Sequence, residues 1–111
     1  IKDYAFTFVA TLESIDIPDS VTSIGEYAFS TCVDLASVTL GNSVTSIGDS
    51  VFENCYKLES IVIPASVTDM GRNVFVGCHN LTIYCEAESR PAGWSENWNS
   101  GGCLVVWGYK G

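Results

Sequence analysis

The amino-acid sequence predicts a repeat solenoid, with short strands stacked on one side of a coil and short helical turns on the other. Leucines recur every 23 residues, at Leu12, Leu35, Leu58 and Leu81, and the units that begin at the first three align without a gap. The units share apolar residues at fixed positions. One coil of this length cannot bury such residues alone, whereas stacked coils can. We therefore expect a core built of columns of equivalent side chains.

The repeat period fixes the expected organisation of the chain. A partial unit occupies residues 1–11, and three complete units occupy residues 12–34, 35–57 and 58–80, so that repeats cover residues 1–80. Residues 81–111 are expected to supply the last strand and a C-terminal cap. Because the sequence opens in the middle of a repeat, we expect one structural domain that is a fragment of a longer chain.

Each unit begins with a strand pattern. Ile15 and Ile17 alternate with polar residues, which places both side chains on one face of a strand. Pro18 follows, and it ends the strand because proline has no backbone N–H to donate to the ladder. Val21 and Ile24 then indicate a second short extended segment.

The remainder of each unit carries apolar residues at a different spacing. Ala28, Phe29 and Cys32 suit about one helical turn. Stacked coils place equivalent side chains ~4.8 Å apart. The sequence therefore predicts a column of offset-stacked rings, made by Phe6, Phe29, Phe52 and Phe75.

Composition and charge disfavour several functions. The net charge is −8, and the five Lys and Arg residues are scattered, which argues against nucleic acid and against an anionic membrane surface as partners. No apolar run approaches the roughly 18 residues of a membrane span. His79 is the only histidine and belongs to no nucleophile or acid–base arrangement. We predict no catalytic residue, no cofactor and no metal, and the chain is not expected to be an enzyme.

Three of the five cysteines, Cys32, Cys55 and Cys78, share one repeat position. Thiolates are common zinc ligands, so one interpretation is a metal site. The favoured interpretation is a buried ladder of small side chains, because a linear column lacks the tetrahedral geometry of zinc.

The other two cysteines, Cys85 and Cys103, each adjoin a strand-like run, LTIYC and CLVVW. If these runs pair, the two sulfur atoms come within bonding range. A disulfide here would fasten the end of the array in an exported protein. The alternative is two reduced thiols.

The C-terminal segment breaks the repeat and is rich in turn-forming residues, as in RPAGWSENWNSGG. A solenoid needs a modified last unit that covers the open end of its core. We expect Trp98 to lie near the phenylalanine column and Trp94 near the position of Gly71. Cap packing is the favoured role for these tryptophans. The alternative is a glycan-binding cap, in which Trp94 is the exposed ring that stacks on a sugar.

The repeat pattern L-x-x-I-x-I-P-x-S-V-T-x-I-G-x-x-A-F-x-x-C resembles the BspA-like subclass of leucine-rich repeats, found in surface proteins of anaerobic bacteria and some parasitic protists. The resemblance covers residues 1 to about 85. The sequence lacks the Asn position that follows the strand in plant and animal repeats. The resemblance implies a right-handed leucine-rich-repeat solenoid with a parallel sheet on its concave side. It also implies an extracellular setting, on the cell surface or secreted, and a role in adhesion, with no family catalytic site.

The resemblance directs attention to the concave face of the sheet. The side chains that alternate with the core there are Glu13, Ser14, Asp16, Ser37, Thr39, Glu59, Ser60, Val62 and Tyr84. We expect a non-catalytic interaction module of a bacterial cell-surface protein that binds a host or matrix protein, or a surface glycan. The alternatives are the glycan-binding cap and a passive structural spacer.

The N-terminal end of the array has no polar cap before Ile1. This predicts end-to-end self-association of the chain as it stands.

Overall fold

The computed structural model describes residues Ile1–Gly111 and shows a parallel β-solenoid of about four turns. Each of the three complete repeats contributes a four-residue front strand and a two-residue back strand, and the C-terminal segment adds a fourth front strand. The front strands are β1 (Ser14–Ile17), β3 (Ser37–Leu40), β5 (Ser60–Ile63) and β7 (Thr82–Cys85). The back strands are β2 (Ser23–Ile24), β4 (Ser46–Ile47) and β6 (Asp69–Met70), and β8 (Leu104–Val106) follows in the C-terminal segment.

Neighbouring coils pair in parallel and at equivalent repeat positions. On the back, β2, β4 and β6 form one continuous sheet, which an isolated bridge between Met70 and Trp94 extends. On the front, the ladder is divided: β1 pairs with β3, and β5 pairs with β7 and β8, but β3 and β5 are not hydrogen-bonded to each other. The coil that contains β3 and β4 is thus hydrogen-bonded to the coil that contains β5 and β6 on the back, but not on the front.

The end of β3 shows why a repeat position held by proline elsewhere accepts glycine here. A Cβ atom at Gly41 would lie 2.7 Å from the carbonyl oxygens of Ile17 and Pro18. A Cβ atom does not come this close to a backbone oxygen, so glycine allows the coil containing β3 to pack directly on the turn that follows β1.

The third side of each coil consists of hydrogen-bonded turns, and the structure contains no helix, so the predicted helical turns are not confirmed. Alternate N–H groups leave their own coil: those of Tyr27, Phe29 and Thr31 donate to the carbonyls of Asp49, Val51 and Glu53 at 2.7–3.0 Å. An α-helix would keep these bonds within the segment. No element of the structure is a helix long and apolar enough to cross a membrane.

These turns require the left-handed backbone region at two repeat positions. The non-glycine residues that adopt it are Tyr4, Phe8, Tyr27, Thr31, Ser50, Asn54 and Asn73, with φ between 56° and 61°. Gly77 takes this conformation in the third complete unit, with φ of 88°. Only glycine, and to a lesser degree Asn and Asp, adopts this region at little cost.

The predicted column of phenylalanine rings is confirmed. Ring centroids lie 5.2 Å apart between Phe6 and Phe29, 5.6 Å between Phe29 and Phe52, and 5.7 Å between Phe52 and Phe75, with interplanar angles of 4–7°. Trp98 closes the column, but edge-on: its ring meets Phe75 at 82° and 6.3 Å. The cap therefore ends the stack by turning a ring across it.

Replacing Phe52 by alanine should lower the free energy of unfolding by about 3–5 kcal/mol, because its ring is 0% exposed and packs between two others. Denaturant unfolding followed by circular dichroism measures the loss. Tyr56→Ala is the control, since Tyr56 is 46% exposed and its removal should cost much less. Equal stabilities for Phe52→Ala and the parent would contradict a core built on this column.

Replacing Thr31 by asparagine should raise the free energy of unfolding by about 1 kcal/mol, because threonine is β-branched and occupies the left-handed region at φ of 58°. The equivalent residues in the next two coils are Asn54 and Gly77, both suited to that region. Thr22→Asn is the matched control, since Thr22 is exposed and its φ is not positive. Thermal melting of both variants checks the prediction, which fails if Thr31→Asn melts at or below the parent.

Candidate functional site

The front face is the solvent-facing side of β1, β3, β5 and β7. Parallel pairing sets Ser14 beside Ser37 and Asp16 beside Thr39, and Val62 beside Tyr84. Ser14, Asp16, Ser37, Thr39 and Ser60 are exposed, and Val62 and Tyr84 are half-buried. Glu13 and Glu59 are exposed and immediately precede β1 and β5. The residues predicted for the binding face thus lie on one side of the solenoid.

The missing ladder between β3 and β5 divides this face and opens a cleft of about 420 Å³. The front cleft, as we call it, is lined by Ala36, Ser37, Val38, Thr39, Ser60, Ile61, Val62, Tyr84 and Tyr109. Five of the nine predicted face residues therefore border the cleft, whereas Glu13, Ser14, Asp16 and Glu59 lie outside it.

Tyr84 and Tyr109 form one wall of the front cleft, which we call the tyrosine wall. Their ring centroids are 4.9 Å apart and the planes are inclined by 52°. The C-terminal tail fixes Tyr109, since its N–H donates to the carbonyl of Cys85 at 2.9 Å and that of Gly108 donates to Ala87 at 2.8 Å. Gly108 has φ of 69°, which lets the tail turn back over β7.

A second concavity adjoins the front cleft. This corner cleft, of about 380 Å³, is lined by Ala36, Tyr56, Lys57, Glu59 and Asn80. Ala36 belongs to both clefts and joins them. The front cleft has no charged side chain in its lining, whereas the corner cleft presents one ammonium and one carboxylate group.

Tyr109 and Ala36 were not among the residues predicted for the binding face. The tail GYKG offers only a tyrosine beside a glycine, and its position on the front face depends on the hydrogen bonds to residues 85 and 87. Ala36 stands where Glu13 and Glu59 stand in other units. A small residue in a column of carboxylates is the sequence signal for an opening at this point.

The cysteine column is a buried ladder. Cys32, Cys55 and Cys78 are 0–3% exposed, and each thiol donates to a phenylalanine carbonyl of the preceding coil at 3.1–3.3 Å. Burial raises the pKa of all three thiols, that of Cys78 to about 12. No group of three or more His, Cys, Asp or Glu residues is arranged to hold a metal ion.

The predicted disulfide between Cys85 and Cys103 is wrong: both cysteines are free. The two runs do pair, but in parallel, with Thr82 beside Leu104, which sets Cys103 beside Leu81 rather than Cys85. Leu81 and Cys85 are four positions apart, a distance of about 13 Å along a strand. Cys103 instead continues the cysteine column, with its sulfur 3.5 Å from the Cys78 carbonyl.

The alternative interpretation, in which Trp94 is an exposed ring that stacks on a sugar, is wrong. Trp94 is 2% exposed, its indole N–H donates to the Val67 carbonyl at 3.1 Å, and its ring packs edge-on against Trp98 at 4.9 Å. A ring held in this way offers no face to a sugar. Trp94 is a packing residue of the cap, as the favoured interpretation expected.

The N-terminal coil exposes several large apolar side chains. Tyr4 is 55% exposed, Phe6 36% and Phe8 72%. They lie at the end of the array where the phenylalanine column is uncovered. Self-association through this end stays a prediction.

Comparisons with known proteins agree with this geometry. The pattern of the BspA type leucine rich repeat region matches residues 1–88. A leucine rich repeat protein from T. pallidum superposes with a TM-score of 0.75 at 26% identity, over 96% of this chain and 44% of that protein. A leucine rich cell surface protein from Faecalibacterium prausnitzii superposes with a TM-score of 0.70 at 40% identity, over 87% and 25%.

A third similar structure, a leucine-rich repeat protein from Bacteroides capillosus, has a TM-score of 0.63 at 29% identity, over 100% of this chain and 62% of that protein. The chain therefore spans between a quarter and two thirds of the solved relatives it matches. No curated protein matches it.

The buried thiols should make the protein less stable at alkaline pH. The pKa of Cys85 is raised to about 12 by burial, whereas an unfolded thiol titrates near ~8.5. The native state therefore binds more protons than the unfolded state between these values. The stabilisation is complete below pH ~8.5 and is lost as the pH rises toward 12, by about 1.4 kcal/mol per pH unit for such a thiol.

Denaturant unfolding in reductant from pH 8 to 11 measures this slope. Cys85→Ala should show a shallower decline than the parent. Val51→Ala, which removes apolar volume from an equally buried position but no thiol, should keep the parental slope. An unchanged slope in Cys85→Ala would show that this thiol does not stay neutral in the folded protein.

Proposed function

Because this chain belongs to the BspA-type leucine-rich repeat family, we propose that it is a non-catalytic protein-interaction module that acts outside the cell, in adhesion by a bacterial surface protein. The observation that carries the proposal is the front face, on which in-register strands present their outward side chains on a rigid repeating backbone. The similarity to a cell surface protein at 40% identity supports the location.

The front face is suited to recognition because the fold does not need its side chains. The residues between them, such as Val38 and Ile61, point inward and are buried, so the outward positions are free to vary without loss of the core. Ser14, Ser37 and Ser60 are short and polar, which allows a partner to approach the backbone closely.

Charge favours a particular kind of partner at one end of this face. Glu13 and Asp16 make the region around β1 acidic, and the whole chain carries a net charge of −8. A basic patch on a host or matrix protein is complementary to this region, and long-range attraction would speed its association.

The size of the face indicates how the module is used. The four front strands at ~4.8 Å spacing, each of four residues with ~3.3 Å rise, give about 250 Å². A stable interface takes about 800 Å² from each partner. Strong binding therefore needs further surface, and solved relatives longer than this chain support an interface that extends over neighbouring repeats.

Substituting Asp16, Thr39 and Val62 together by alanine should weaken binding to a protein partner about tenfold or more, because the three side chains come from three strands of the front face. The partner is first identified by probing immobilised extracellular-matrix proteins with the purified chain. Affinities of parent and variant are then measured by surface plasmon resonance.

The matched control is Ser23→Ala with Asp69→Ala and Glu96→Ala, all exposed positions outside the front face. It should bind like the parent. Equal binding by the Asp16, Thr39 and Val62 variant would exclude the front face as the surface used. No binding to any matrix protein would favour a passive spacer.

A further inference from the structure

Backbone groups along the front cleft lack the partners they have elsewhere in the array. Between the same two coils the back ladder is intact, with the Gly71 N–H donating to the Ile47 carbonyl at 2.8 Å. On the front, β3 and β5 share no ladder bond, so the N–H and C=O groups that face each other across the gap need other partners. Backbone polar groups are seldom left unpaired, and those at the floor of a cleft are open to a ligand.

The width of the gap limits what can enter it. Some Cα atoms of β3 and β5 still approach within 8 Å of each other. An inserted peptide strand would need about 9.6 Å, twice the normal spacing. The ligand therefore lies above the gap and reaches the backbone from the solvent side, and it is not a third strand.

The lining selects the chemistry of that ligand. Ser37, Thr39 and Ser60 contribute hydroxyl groups that both donate and accept hydrogen bonds. No charged side chain lines the front cleft, so a charged ligand would lose water without gaining a counter-charge. A neutral molecule with several hydroxyl groups matches both features.

The tyrosine wall supplies the apolar half of such a site. Tyr84 and Tyr109 are half-buried and hold each other at 4.9 Å between ring centroids. The electron-rich face of an aromatic ring attracts the weakly positive C–H groups of a sugar ring. Both tyrosines are positioned before binding, which reduces the entropy that a ligand must overcome.

We propose that the front cleft binds an uncharged sugar ring, with its hydroxyl groups on Ser37, Ser60 and the open backbone of β3 and β5 and one face against the tyrosine wall. A volume of about 420 Å³ lies within the range of small-ligand pockets. This activity is separate from the protein binding proposed above and does not depend on it.

Ala36 is the residue that keeps the site open toward its neighbour. It lines both the front and the corner cleft, and other units carry Glu13 and Glu59 at this position. A longer glycan can continue past it toward the corner cleft. Ala36→Glu restores the usual residue of the column while placing a charge and a longer side chain at the entrance.

The test begins with a printed array of neutral, sialylated and sulfated glycans probed with the purified chain. The neutral oligosaccharide that gives the strongest signal is then titrated by calorimetry. We expect binding to neutral glycans, weakened about tenfold or more by Ala36→Glu, by Tyr109→Ala and by Ser37→Ala with Ser60→Ala. Ser14→Ala should bind like the parent, because Ser14 shares the serine column but lies outside the cleft. Circular dichroism confirms that each variant is folded.

Four results would overturn the proposal. The first is no binding to neutral glycans at millimolar concentration, and the second is binding to charged glycans alone. The third is neutral-glycan binding that Ala36→Glu and Tyr109→Ala leave unchanged. A matrix protein whose binding survives enzymatic deglycosylation and is lost in Ala36→Glu would assign the cleft to a peptide and also overturn it. Binding of the Ala36→Glu variant to a deglycosylated matrix protein reports on the protein-interaction function alone. The glycan-binding proposal and the protein-interaction proposal can therefore fail separately.

Discussion

Hydrogen bonding between coils is the interaction on which the rest of this structure depends. On the turn side, alternate N–H groups leave their own coil, as when Phe29 donates to Val51 in the next one. The strands also bond to neighbouring coils, and they pair at equivalent repeat positions. Identical positions therefore lie one above another, and each apolar position becomes a column. The stacked rings of Phe29 and Phe52, 5.6 Å apart, are a direct consequence.

The same constraint explains the unusual backbone of the turns. A left-handed conformation at Tyr27 or Thr31 is unfavourable in isolation. It persists because it directs alternate N–H groups to the neighbouring coil while the side chain between them, Phe29, enters the core. The backbone strain in each coil is thus offset by hydrogen bonds and side-chain packing that only a neighbouring coil provides.

The candidate site lies where hydrogen bonding between neighbouring coils is interrupted. Between β3 and β5 the back of the solenoid keeps its ladder and the front does not, so the two coils separate on one side only. Departures from an otherwise consistent pattern tend to mark functional positions. The C-terminal tail completes the site by placing Tyr109 against Tyr84. The site therefore consists of the gap between β3 and β5 and a wall to which the tail, outside the repeats, contributes Tyr109.

The sequence alone determined whatever follows from the 23-residue period. The period sets the register of the coils, and the register sets the phenylalanine column, the burial of Cys55 and the common face of Ser14, Ser37 and Ser60. Five residues of the front cleft could be placed on the correct face for this reason. The opening itself could not, because repeat positions look alike whether or not the ladder between them is made.

Only the tertiary structure decided what lies outside the period. Two strand-like runs can pair in either direction, and the parallel pairing of β7 with β8 places Cys103 in the cysteine column and away from Cys85. Trp94 is buried because the open end of the core accepts its ring and the Val67 carbonyl accepts its N–H. Tyr109 reaches the cleft through hydrogen bonds to residues more than twenty positions earlier. Within the repeats, each residue's environment follows from its position in the 23-residue period. In the cap, it depends on contacts between segments that are distant in the chain.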